Sequence, residues 1–260
     1  MSHVGVGEVF IIAGQSNSTN YGESRRQTRT RMISTFDGTS WRIADDPQPG
    51  VQDSSTKGSF IPAFGDALYE KLHVPVAVAC VGAGSTSVRQ WLPAHHTFAT
   101  QPTMTKFVTA TPDGKWQSTG QLFEGLLLRI RQFPPNGFRA ILWHQGESDA
   151  NQKEGHTVTG AEYVMMLKDL ILATRHQAAW DIPWFIAQAT YHSPDDVSSP
   201  NIRAAQARIA EEGFAFEGPD TDRLGREYRE KNGTGVHFNE QGLEAHGKLW
   251  ADKVAEWLNP

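Results

Sequence analysis

Four short apolar runs constrain this chain more than any other feature. Residues 9–13, 74–81, 138–143 and 182–189 are rich in Val, Ile, Phe or Trp and are bounded by Gly, Pro or polar residues, as buried strands are. Segments of helical period separate and follow them. "PAFGDALYEKL" precedes the second run, "GQLFEGLLLRIRQF" the third and "AEYVMMLKDLILATRHQ" the fourth, while "IRAAQARIAEE" and "EQGLEAHGKLWADKVAEWL" come after it. A strand that is apolar at every position has both faces covered, and strands alternating with helices pair in parallel. The expected fold class is therefore α/β, a three-layer α/β/α sandwich with a central parallel sheet. "FAFEG", residues 214–218, is a weaker candidate for a fifth strand. Two stretches rich in Thr, Ser, Pro, Asp and Gly, residues 21–60 and 92–119, fit no regular element and are expected to wall a pocket. With no repeat and no linker in its 260 residues, the chain reads as a single domain, 1–260.

The formal net charge of −5 argues against nucleic acid, whose partners carry a basic patch or stripe. Cys80, the one cysteine, sits inside "VPVAVACVG" and reads as a buried, inert thiol. No apolar run reaches membrane-spanning length, and "MSHVGVGEVF" has neither a basic n-region nor a long apolar h-region. The expectation is no membrane partner and a cytosolic or already processed chain.

Ligands of parallel α/β sheets gather beyond the carboxyl ends of the strands. After the first run comes Gly14-Gln15-Ser16-Asn17. Ser16 on that strand-to-helix turn is either an N-cap or a nucleophile whose Oγ stands at the top of the sheet. "GAGSTSVRQW", residues 82–91, is a small-residue turn or a place where a backbone N–H approaches a developing charge. It lacks the third Gly of a dinucleotide fingerprint, Ser87 standing there. "WHQGESDA", residues 143–150, packs Gln145, Glu147 and Asp149 at the exit of a buried strand, either as donors and acceptors for a reaction or as a polar cap. In "GTGVHFNEQGLEAHG", His237 precedes a helix that Asn239 would cap, while His246 falls inside it as a surface or packing residue. A hydroxyl, amide donors, a carboxylate and a histidine, each just past an element end, are the parts acyl transfer needs.

"GQSN", "HQGESD" and "VHFNEQG", in that order, resemble the SGNH hydrolase superfamily, and within it the carbohydrate esterases that include acetylxylan esterases and sialate O-acetylesterases. "GSTSVRQW" is similar to that branch's G-G-[ST]-S-I-x-x-W segment, with Ser85 in place of the second Gly. The resemblance implies a flavodoxin-like fold and a serine esterase without metal or cofactor. Its partner would be an acetylated carbohydrate, which loses acetyl from its hydroxyls. It also implies that Ser16 is the nucleophile and His237 the base. The oxyanion donors would be the N–H of Ser16, a backbone N–H at Gly84 or Ser85, and the Gln145 side chain. Asn17 and Trp91 are the expected substrate contacts; Trp41, Trp91 and Trp116 offer faces for a sugar ring or belong to the core.

One position departs from the family. Where D-x-x-H would put the orienting Asp, this chain has Thr234. Either Glu147 supplies the carboxylate, the preferred assignment, or a Ser–His dyad operates; Asp220 and Asp222 are further, structural-looking candidates. The competing functions are a short-chain lipase or thioesterase of the same superfamily and a carbohydrate-binding relative without catalysis.

Overall fold

A computed structural model describes residues 7–259. Its first half runs β1 (Glu8–Gly14), β2 (Ile33–Phe36), β3 (Trp41–Ile43), α1 (Ile61–Leu72), β4 (Val76–Cys80), β5 (Thr97–Phe98), β6 (Val108–Ala110), β7 (Trp116–Ser118) and α2 (Gln121–Arg131). Then follow β8 (Ala140–His144), α3 (Gly160–Ala178), β9 (Trp184–Gln188), α4 (Pro200–Glu211), β10 (Phe216–Asp220), a distorted single turn α5 (Glu230–Gly233) and α6 (Glu240–Leu258).

The main sheet has the order β10-β9-β8-β1-β4-β2-β3, parallel throughout except for the antiparallel edge pair β2/β3. β1, at its centre, explains why the apolar runs are unbroken. Phe10 and Ile12 share one core with Phe64 of α1 and Trp250 of α6. Ile11 and Ala13 share the opposite core with Leu126 of α2, Leu167 of α3 and Ile202 of α4. Both sets are sealed from solvent, so neither face of the strand has room for a polar side chain. Cys80 lies fully buried and unpaired in β4, and burial pushes its thiol up to about 12. The sandwich and its parallel centre match the sequence reading.

Three details differ from that reading. Residues 21–60 contribute β2 and β3 to the main sheet, and residues 92–119 form a second, three-stranded sheet in the order β5-β7-β6. These strands span only two to four residues, too short for a period of two to stand out from loop sequence. The fifth parallel strand is shifted to Phe216–Asp220. It tolerates Pro219 because it is an edge strand, where a missing N–H costs no ladder bond.

Candidate active site

At the end of β1 the backbone must pass close to the end of β8. Gly14 has φ 125°, and a Cβ there would come within 2.1 Å of the His144 carbonyl oxygen; only glycine fits that approach. Gln15 then donates its N–H to His144 O at 2.9 Å, and Ser16 opens a single 3₁₀ turn, Ser16–Ser18. The hydroxyl of Ser18 closes that turn on Gln15 O, and the hydroxyl of Thr19 closes it on Ser16 O. Gln15 holds the cap position without a side-chain cap bond, so Ser16 is not an N-cap. Its Oγ has no partner among the described residues and opens into a cavity of about 510 Å³.

His237 lines the same cavity. It precedes α6, whose N-cap is Asn239, accepting from Gly242 N at 2.8 Å. The ring's Nδ1 lies 2.8 Å from Glu230 Oε1, which corrects the assignment of Glu147 as orienting carboxylate and leaves no bare dyad. The cause is a hairpin-like return of the chain. Lys231, Asn232 and Gly233 take φ of 53°, 57° and 85°, after which Gly235 N donates to Glu230 O at 3.1 Å and Glu230 N to His237 O at 2.9 Å. Gly235 is required, because a Cβ there would stand 2.3 Å from Glu230 Cγ.

Glu147 is engaged elsewhere. Its Oε1 accepts from Asn17 Nδ2 at 2.9 Å, and the same amide reaches Val236 O at 3.3 Å. Asn17, expected on the substrate, is therefore a strut from the Ser16 turn to the histidine loop; it is buried and does not line the cavity. Asp220 and Asp222 both clamp Arg203, so they are structural.

Of the four expected oxyanion donors two are free. The backbone N–H groups of Ser16 and Ser85 have no acceptor among the described residues, and both residues line the cavity. Gly84 N is already donated to Asp53 Oδ2 at 2.7 Å. Gln145 is fully buried, with Nε2 given to Asp149 Oδ2 at 2.7 Å and Thr86 O at 3.1 Å. Neither can turn to a substrate without abandoning its partner, half-buried Asp53 for Gly84 and fully buried Asp149 for Gln145, and that costs more than it returns. Trp91, expected to touch substrate, is core: it is sealed, edge-on to Trp143 at 5.2 Å, with Nε1 on Thr86 Oγ1.

Burial pushes the His237 imidazole below its usual value, and the Glu230 carboxylate opposes that shift. The ring is thus neutral at pH 7, oriented by an acid, and open at Nε2 in the same cavity as an unengaged serine. Such a group can take a proton from a hydroxyl while amide N–H groups receive a developing oxyanion, with the hydrogen bonds tightening when substrate arrives.

Residues 6–256 match a family model described as carbohydrate esterase, sialic acid-specific acetylesterase. The chain belongs to that family of carbohydrate esterases. Solved structures agree on the fold of this esterase. A protein of Arabidopsis thaliana superposes with TM-score 0.62 at 17% identity, covering 98% of this chain and 99% of its own. NanS superposes with TM-score 0.60 at 14% identity, covering 98% of each chain. A carbohydrate acetylesterase of Xanthomonas citri gives TM-score 0.61 at 16% identity over 94% of this chain, which spans 55% of that longer one. No curated protein matches in sequence.

The esterase's cavity is walled in part by Thr103 and Met104, from the second irregular stretch. The first stretch acts from behind the wall, through Asp53 on Gly84 and through Tyr21, whose ring lies 5.0 Å from that of His237. Trp41 packs on Phe36 and Phe133, and Trp116 against the main core; neither lines the cavity. Beneath the site, Arg229 is buried between Tyr191 and Phe238 and donates to the carbonyls of Leu224, Val236 and Thr221. Buried His144, pushed down to about 3 by desolvation, bonds Thr221 Oγ1 at 2.9 Å, and His246 packs against it in the core.

Sequence reasoning missed Glu230, Asp53, Tyr21 and Arg229. For Glu230 a signal existed: Asn232-Gly233 marks a tight turn, which can bring a residue seven positions upstream back onto His237. Among the described residues no group of three or more His, Cys, Asp or Glu is placed to hold a metal ion, and no helix is long and apolar enough to cross a membrane.

Proposed function

We propose that this esterase removes O-acetyl groups from sugar hydroxyls through an acyl-enzyme on Ser16. One observation carries the reading: an unengaged serine hydroxyl and a histidine held by Glu230 share one cavity with free backbone N–H groups. Ser16 Oγ attacks the acetyl carbonyl as His237 takes its proton, and Glu230 keeps the ring in the tautomer with hydrogen on Nδ1 and stabilises the imidazolium. The N–H groups of Ser16 and Ser85 receive the oxyanion. His237 returns the proton to the departing sugar oxygen, and a water then releases acetate by the same steps.

The cavity wall supports a short acyl group. Met104 and Val236 are its only large apolar members among Gln15, Thr103, Ser148, Gln152, His192 and the site residues, so nothing there would sheath a long acyl chain as a lipase or thioesterase requires. Lys231, exposed on the wall and without an ion pair among the described residues, suits the carboxylate of an acidic sugar. The substrate class we favour is therefore O-acetyl sialic acid over acetylated xylan.

The test compares wild type with Ser16→Ala on p-nitrophenyl acetate, p-nitrophenyl octanoate, O-acetyl sialic acid and acetylated xylan. The expected result is acetate release by wild type alone, fastest on the acidic sugar, with slow turnover of octanoate. Equal inertness of both proteins, with saccharide still bound, would return the chain to the non-catalytic reading.

A further inference from the structure

Gln15 stands beside the nucleophile, and its side-chain amide has a fixed direction. Oε1 accepts from Ser148 N at 3.0 Å, from Gly146 N at 3.4 Å and from Gln145 Nε2 at 3.3 Å. Backbone N–H groups can only donate, so the oxygen must face the turn after β8 and Nε2 must face the other way. That Nε2 has no acceptor among the described residues and is not sealed from solvent, while the residue lines the cavity next to Ser16. The Gln15 backbone is equally pinned, donating to His144 O at 2.9 Å and accepting from Ser18 N at 2.8 Å. A donor held on all sides and left open at one end is what a preorganised electrostatic site needs, since it reorganises little when charge appears.

We propose that the side-chain amide of Gln15 is the third oxyanion donor, taking the part that Gln145 cannot. The inference rests on the acyl-enzyme reading above. As the Ser16 Oγ–carbon bond forms, the carbonyl π pair moves onto the acetyl oxygen and the serine proton moves to His237 Nε2. Nε2–H of Gln15 then donates to that oxygen beside the N–H groups of Ser16 and Ser85, and no bond to Gln15 is made or broken. Gln145 serves one step back. It is anchored on Asp149 and helps hold Oε1 of Gln15 in place.

Gln15→Glu is the discriminating variant. A carboxylate keeps acceptors for Gly146 N and Ser148 N but has nothing to donate. On p-nitrophenyl acetate kcat should fall by about 10²- to 10³-fold, the loss typical of one oxyanion donor, with KM within about threefold and no fall in Tm. With Ser16→Ala inert, a Gln15→Glu kcat within about threefold of wild type, or a rise in KM alone, overturns the assignment to Gln15 and leaves the esterase reading standing. Activity surviving in Ser16→Ala overturns the reading itself. Should Gln15→Glu fail to fold, wild-type enzyme labelled with ¹⁵N supplies the readout. Reaction of Ser16 with a phosphonate should shift one Gln15 side-chain amide proton downfield; unmoved resonances on a fully formed adduct refute the contact.

Discussion

Glu230→Gln removes one negative charge from beside His237 and leaves the side-chain shape intact. The 2.8 Å contact places the carboxylate and imidazolium charge centres about 4 Å apart, where an effective dielectric near 20 gives an attraction of about 4 kcal/mol. That attraction is absent while the ring is neutral and, in the proposed reaction, grows as the ring takes the serine proton, so it belongs to the transition state. With side chains only 6% and 19% exposed, solvent screens the pair weakly. Losing it costs about a thousand-fold in kcat, at roughly 1.4 kcal/mol per factor of ten. If the new amide presents its NH₂ to Nδ1, the ring is also held in the wrong tautomer and the loss approaches ten-thousand-fold. The assay is kcat on p-nitrophenyl acetate from about pH 5 to 9, with Glu147→Gln run alongside. In Glu230→Gln the acid limb should move to lower pH, because the carboxylate that opposed the burial of His237 has gone. Glu147→Gln should stay within about tenfold of wild type, since Glu147 touches Asn17 and not the ring. A Glu230→Gln enzyme retaining more than about a tenth of wild-type kcat would refute the reasoning, as would an equal collapse in Glu147→Gln.

Two further outcomes are expected. Burial raises Glu147 from 4.5 to about 7. Between those values the folded chain holds a proton that the unfolded chain has released, so about 3 kcal/mol of stability present below pH 4.5 is lost as pH rises through 7. Thermal melts should show Glu147→Gln gaining on wild type between pH 5 and pH 8; parallel Tm curves would contradict this. Gly235→Ala puts a Cβ 2.3 Å from Glu230 Cγ, so it should displace the carboxylate and lower kcat by at least tenfold with KM little changed. Wild-type kcat in that variant would mean the loop has slack that the close packing denies.

How much of this was legible beforehand depended on the range of the interaction. β1, β4, β8 and β9 were readable because a strand buried on both faces must be apolar at every position, as Phe10, Ile11 and Ile12 are. The helices followed from their own period, and the location of the site followed from the parallel sheet, since ligands gather past the carboxyl ends of its strands. Ser16 and His237 were visible for the same reason: each lies just beyond an element end, in a motif carried by adjacent residues.

What stayed hidden was decided by contacts across the chain. Whether the carboxylate facing His237 is Glu147 or Glu230 depends on the left-handed turn at Lys231 and Asn232; Asn232-Gly233 marks a turn in the sequence but not which carboxylate that turn returns to the ring. Gly84 and Gln145 look like donors in sequence, yet Asp53 and Asp149 claim their hydrogens once the loops are assembled. Trp91 looks like a sugar platform until Trp143 is seen packed against it. Local sequence determines which groups are offered near the sheet's edge. Tertiary structure decides which of them remain free, because a buried donor or acceptor must take a partner wherever the folded chain supplies one.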